Sequence, residues 1–173
     1  MEEGNEENAA DTANDAEEDF KSKAKSTIAV VEDDEAIRNF LKTQLQETYN
    51  ILTFCNGKEA LPEIIKQKPS LVISDIMMPE MDGNTLCTKI KNNVNTNHIP
   101  VILLTAMSRE EDQLTGLQSG ADAYVVKPFN MDILRRTIIN LLNVRRTLKN
   151  KFMMRYNLML DALRHWLMAL RSI

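Results

Sequence analysis

Short apolar runs and amphipathic helical stripes alternate five times between residues 26 and 148. This alternation constrains the fold more than anything else in the sequence. Strand-length runs fall at 27–31, 49–55, 71–74, 100–105 and 123–126. Four are dominated by Val, Ile and Leu with little polar alternation, as expected of strands covered on both faces. The run at 49–55 is more mixed and reads as an edge strand. Between the runs lie helical stripes: Ile37, Phe40, Leu41 and Leu45; Ala60, Leu61, Ile64 and Ile65; Leu86 and Ile90; Leu114 and Leu117; Leu134, Ile138 and Leu141. Asp34 suits the N-cap of the first helix. Pro62 predicts an irregular start to the second, and Ser108-Arg109-Glu110-Glu111 has capping-box spacing for the fourth. Five strands alternating with five helices predict an α/β chain, a (βα)5 doubly wound five-stranded parallel sheet of flavodoxin-like type. In such folds working groups collect beyond the carboxyl ends of the strands.

Those ends are chemically loaded. The first strand runs into Glu32, Asp33 and Asp34, and the third ends at Asp75. The fourth ends at Thr105, and the fifth at Lys127, Pro128 and Phe129. A carboxylate at the end of a hydrophobic strand is costly to desolvate, so it is paired, metal-bound or used chemically. Converging carboxylates repel one another and raise some of their pKa values. A hard divalent cation such as Mg²⁺ relieves that repulsion, taking carboxylate and carbonyl oxygens with water. Lys127 adds a point charge suited to an anion, and Thr105 a hydroxyl donor. Together these groups can hold a phosphoryl group. Taken singly, an ordinary role competes at each position: helix capping for the acids, strand propensity for Thr105, a surface lysine for Lys127, a half-buried aromatic for Tyr124.

The segments "VVEDDEAIR", "LVISDIMMPEMDG", "VILLTA" and "GADAYVVKPF" carry a resemblance that is specific when taken together. Asp75 precedes Thr105 by 30 positions and Lys127 by 52. Residues 26–148 resemble the receiver domain of bacterial two-component response regulators. The run through "RRTLKNKF" is similar to receivers found within hybrid histidine kinase/response regulators. The resemblance implies that Asp75 accepts a phosphoryl group from a phosphohistidine on the dimerisation/phosphotransfer domain of a histidine kinase. It implies a phosphoacceptor signalling domain rather than an enzyme, with only Mg-assisted self-phosphorylation and dephosphorylation. It further implies Mg²⁺ (or Mn²⁺) held by Glu32, Asp33, Asp75 and the backbone carbonyl of Met77. Aligning Arg38 with the family's basic residue early in the first helix places the acid pair at Glu32 and Asp33, with Glu32 replacing the commoner Asp. By the same resemblance Thr105 and Tyr124 form the switch, the Lys127–Pro128 bond is cis, and the fourth helix, fifth strand and fifth helix form the output face. Pro79 and Gly83 are expected to shape the loop after Asp75, with a turn at Asp82-Gly83. Met77 and Met78 are expected to serve as apolar cover.

The flanks differ in composition. Residues 1–19 hold nine acids and no Lys or Arg, leaving 16 acids against 21 bases in the rest of the chain. Such an acidic, apolar-poor stretch buries no core, so 1–25 reads as a disordered acidic linker. From Ile133 onward there are nine bases and one acid, Asp161. Residues 149–173 read as a helical extension or a non-native tail, and from Leu148 onward Phe152, Tyr156, Met159, Leu163, Trp166 and Leu170 recur on the same helical face. That stripe calls for a covering surface, and a homodimer is one answer. Cys55 and Cys87 lack metal-site spacing and read as reduced, largely buried thiols. Neither a secretory signal nor a membrane span is evident, so the expectation is a cytoplasmic chain with no direct nucleic-acid or membrane contact. Two rivals stand beside the phosphoacceptor reading. A non-phosphorylated interaction module would lack a site residue, and none is lost. An acid-using phosphohydrolase would need a DxD pair, but Ile76-Met77 follows Asp75.

Overall fold

The computed structural model describes residues 25–106 and 119–170. In chain order the elements are β1 (Thr27–Val31), α1 (Glu35–Leu45), β2 (Asn50–Phe54), α2 (Gly57–Gln67), β3 (Leu71–Asp75), α3 (Gly83–Asn92), β4 (Val101–Thr105), β5 (Ala123–Val126) and α4 (Met131–Leu170). Helix α4 is the fifth helical pattern of the sequence. The fourth, expected to open at Ser108, lies outside the described residues, as do residues 1–24 of the expected acidic linker.

All strands pair in parallel, in the order β2-β1-β3-β4-β5. This is the flavodoxin-like doubly wound arrangement. The alternating side chains of fully covered strands feed two cores. Ala29, Val31, Val72, Val101 and Leu103 pack with Ala60 and Ile64 of α2 and with Leu86, Cys87 and Ile90 of α3. Ile28, Val30, Leu71, Ile73, Ile102 and Leu104 face the other way, onto Leu41 and Leu45 of α1 and Leu134 and Ile138 of α4. Each fully buried Val, Leu or Ile contributes about 2 kcal/mol of transfer free energy. β2 is the mixed edge strand, with only Phe54 buried.

Four expectations need correction. Phe40 belongs to the apolar stripe of α1 but is 46% exposed, because Leu41 and Leu45 fill the contact with the sheet. Cys55 is exposed, since it lies just past the end of the edge strand; Cys87 is buried as expected. Helix α2 starts regularly, with Asn56 accepting from the Glu59 amide, and runs through Pro62. Pro62 forfeits the bond that Lys58 would have received, a tolerable loss on an exposed position. Asp82-Gly83 is a helix start rather than a free turn: Asp82 caps α3 by accepting from the Thr85 amide at 2.8 Å.

Of the alternatives for the C-terminal region, one continuous helix is what forms. α4 runs 40 residues. Its first turns bury Leu134 and Ile138, whereas Leu148, Phe152, Tyr156, Met159 and Leu163 are 48–71% exposed. Among the described residues no helix is long and apolar enough to cross a membrane.

Candidate functional site

β1 and β3 are neighbours, with Val31 in register with Ser74. Glu32, one residue past β1, and Asp75, the last residue of β3, therefore emerge side by side at the carboxyl end of the sheet. Asp33 follows Glu32. Carboxylate oxygens of Glu32, Asp33 and Asp75 all lie within 4.8 Å of one another. Lys127, just past β5, reaches across: its Nζ lies 2.9 Å from Glu32 Oε2 and 3.1 Å from Asp75 Oδ1.

The loops that carry these groups are fixed by backbone bonds. Asp34 caps α1 by accepting from the amides of Ala36 and Ile37, as its position predicted. Arg38 Nη1 donates to the carbonyls of Glu32 at 2.6 Å and Asp33 at 3.1 Å, bracing the acid pair from behind. Past Asp75, the Ile76 amide donates to Leu104 O, and the Gly83 amide donates back to Ile76 O. A Cβ on Gly83 would stand 2.1 Å from the Asp75 carbonyl oxygen, so only glycine lets α3 start this close to the site. The Lys127 amide donates to Thr105 O at 2.6 Å, which ties the ends of β4 and β5 together. The Lys127–Pro128 bond is cis.

Burial grades the site. Glu32 is 1% exposed and Asp75 7%, while Asp33 is open to solvent. Burial, with Asp75 nearby, pushes the Glu32 carboxyl above the usual Glu value despite its bond to Lys127. Burial alone would pull Lys127 down, yet its bonds to Glu32 and Asp75 hold the amine above its ordinary value. The two directions agree physically: one cation shared by two acids is well served, and each acid is served by half. Three carboxylates and one ammonium leave a formal charge of −2. All the acid donors are hard oxygens, so the arrangement fits a divalent cation of the Mg²⁺ or Mn²⁺ kind.

Thr105 ends β4 and is 3% exposed. Tyr124, in β5, is 37% exposed, with its hydroxyl 2.8 Å from Ser119 Oγ. Met77 turns its side chain to solvent, while Met78 is buried in the core beside α2 and α3. Cover thus describes Met78 but not Met77. The sequence used Arg38 only as a marker of register. Its role in holding the Glu32 and Asp33 carbonyls, six and five positions away, follows from folding of the β1–α1 loop. The contact of Ser119 with Tyr124 carried no sequence signal.

Residues 28–139 match the family described as response regulator receiver domain. A protein named histidine kinase P4 from Formosa agariphila is 51% identical over 130 residues, which cover 75% of this chain and 10% of that protein. The chain spans about half the length of the other curated relatives it matches. A solved signal receiver domain of a signal transduction histidine kinase from Syntrophus aciditrophicus is similar at 39% identity. Its TM-score is 0.65, with 68% of this chain and 90% of that one covered. The receiver domain of sensor histidine kinase PA1611 from Pseudomonas aeruginosa, solved with a magnesium ion coordinated in its active site cleft, is similar at 26% identity. Its TM-score is 0.65, with 69% of this chain and 99% of that one covered.

Proposed function

The chain belongs to the response regulator receiver family, and from that premise we propose that it is a phosphoacceptor switch in which Asp75 takes a phosphoryl group from a histidine kinase phosphohistidine. Family membership makes it a signalling domain of two-component systems rather than an enzyme in the ordinary sense. The observation that carries the finer reading is the sharing of Lys127 between Glu32 and Asp75 beside solvent-open Asp33. The Asp75 carboxylate attacks phosphorus, an O–P bond replaces the N–P bond, and the imidazole leaves and takes up a proton. Glu32, Asp33, Asp75 and the Met77 carbonyl would hold Mg²⁺ or Mn²⁺. When bound, that cation neutralises charge on the phosphoryl oxygens. Lys127 supplies a second positive charge to the same oxygens, and the Thr105 hydroxyl donates to one of them, with Tyr124 following Thr105 inward as the switch. Small phosphodonors serve the same site, so self-phosphorylation and dephosphorylation belong to this reading.

The direct test is mass spectrometry after acetyl phosphate with Mg²⁺. Incorporation of one phosphoryl group in the parent chain, and none in Asp75→Asn or with EDTA, is the expected result. Undiminished incorporation in Asp75→Asn would sink the assignment.

We also propose that residues 26–148 are the receiver, with 1–25 as linker and 149–173 as a helical extension, within a longer cytoplasmic hybrid histidine kinase. The similarity to histidine kinase P4 supports this. The exposed apolar stripe of α4 favours self-association, joined to the face that includes β5 and the start of α4. Arg135 is already committed to Gln44, whose carbonyl and side-chain oxygens it reaches at 2.9 Å. Exposed Arg136 is therefore the better candidate for a bond across that face. The acids Glu110, Glu111 and Asp112, which could pair with it across the face, lie outside the described residues. Sedimentation should show association strengthened by beryllofluoride and weakened by Arg136→Glu. A chain ending at Leu148 that stays monomeric with and without beryllofluoride would exclude phosphorylation-driven dimerisation.

A further inference from the structure

The opposite end of the sheet carries a feature that phosphotransfer does not use. Ser26, Tyr49 and Ser70 enter β1, β2 and β3 there. With Arg145, Arg146 and Lys149 of α4 they line a cavity of about 460 Å³ that contains no acid. Among the described residues no carboxylate pairs with any of these three bases. Arg145 Nη1 donates to Ser70 O at 2.7 Å, so the arginine is held as part of the cavity wall. Burial first, and then the charges of Arg145, Lys68 and Lys91, keep the His98 imidazole below its ordinary pKa.

The chain itself brings the complementary charge to this mouth. Residues 2–19 hold nine carboxylates and no base, and a six-residue segment that carries Lys21, Lys23 and Lys25 links them to Ser26, a lining residue at the entry of β1. Asp19 precedes Ser26 by seven positions, a reach of about 25 Å when extended. Tethering on that scale makes the local concentration of carboxylate millimolar, so a contact too weak between separate molecules is populated within one. We propose that the acidic segment docks on this cavity in the same chain, with Glu17, Glu18 and Asp19 set against Arg145, Arg146 and Lys149. The contact ties the strand-entry end of the sheet to the emerging part of α4. It thereby couples the segment preceding the receiver to the helix that follows it.

Amide spectra of the ¹⁵N-labelled full chain at low salt test this. Neutralising Glu17→Gln, Glu18→Gln and Asp19→Asn together should shift the amides of Ser26, Tyr49, Ser70 and Asn143. Raising salt should produce the same shifts, since the contact is screened. In an Arg146→Glu, Lys149→Glu background, where both altered side chains are exposed and the Arg145 bond is kept, the neutralisation should be silent at those amides. Unchanged cavity amides on neutralisation would overturn the proposal. Shifts that disappear on dilution would overturn it as well, by assigning the contact to a second copy. Phosphoryl incorporation at Asp75 is untouched by either result, so this test and that of the phosphoacceptor reading fail separately.

Discussion

The two ends of the parallel sheet carry opposite charge and opposite burial. At the carboxyl end, Glu32 and Asp75 are nearly sealed and share one amine. At the entry end, Arg146 and Lys149 stand in water and only Arg145 is held against the backbone. Coulomb attraction depends on the surrounding dielectric, so similar numbers of charges carry different energetic weight. The sealed end is fragile to loss of a partner, since each buried carboxylate depends on Lys127. The open end is tolerant, because water already solvates Arg146 and Lys149.

Four measurements break or sharpen that contrast. The largest effect is expected from Lys127→Met, which leaves two buried carboxylates without their cation. Denaturation without metal should show a loss of about 3 kcal/mol, and Mg²⁺ should recover part of it. A loss no larger than that of an exposed lysine would erase the distinction between the ends. Next, Asp33→Ala removes an exposed like charge and a metal oxygen together. Metal-free stability should hold or rise, while stabilisation by Mg²⁺, about 2.7 kcal/mol at a hundredfold excess over Kd, should vanish. Retained Mg²⁺ stabilisation would place the cation elsewhere.

Arg145→Ala probes the one structural charge at the entry end. Losing its bond to Ser70 O should cost about 1.5 kcal/mol, read from the denaturant midpoint. An unchanged midpoint would make the basic end wholly dispensable for the fold. The smallest effect belongs to His98. Its native pKa lies below the ordinary value of 6.5, so the unfolded chain takes the proton more readily. The His98 contribution is therefore complete above that value and is lost as pH falls through the lower native one. His98→Gln should flatten the decline in stability just below pH 6.5. An identical slope in both proteins would mean that His98 feels neither its burial nor the neighbouring positive charges.

The sheet was legible because strands covered on both faces are written as unbroken Val, Ile and Leu runs. A strand-end acid, once placed, has few neighbours to choose from, which is why Glu32, Asp33, Asp34, Asp75 and Lys127 could be grouped before their distances were known; the family resemblance then singled out Glu32 and Asp33. Other features depended on what covers a surface, and periodicity does not record that. Phe40 and Leu41 are adjacent in one stripe, yet only Leu41 meets the sheet. Gly83 looked like a turn residue. The real demand on it is the absence of a Cβ against the Asp75 carbonyl. The basic cavity gave no signal in the sequence, because Ser26, Tyr49 and Ser70 are scattered strand-entry residues that meet only when the sheet closes.

The length of α4 has a mechanical meaning. Leu142 is its last residue packed on the core, and the helix continues to Leu170. Those further 28 positions extend about 42 Å as a rod that leaves the edge of the domain. A tilt of about 5° at the base carries the far tip through about 4 Å. A rearrangement of β5 or the first turns of α4 too small to disturb the core would thus arrive at the distal end as a shift of atomic-contact size. On this geometry the displacement at the tip for a given tilt at the base grows in proportion to the number of residues beyond Leu142.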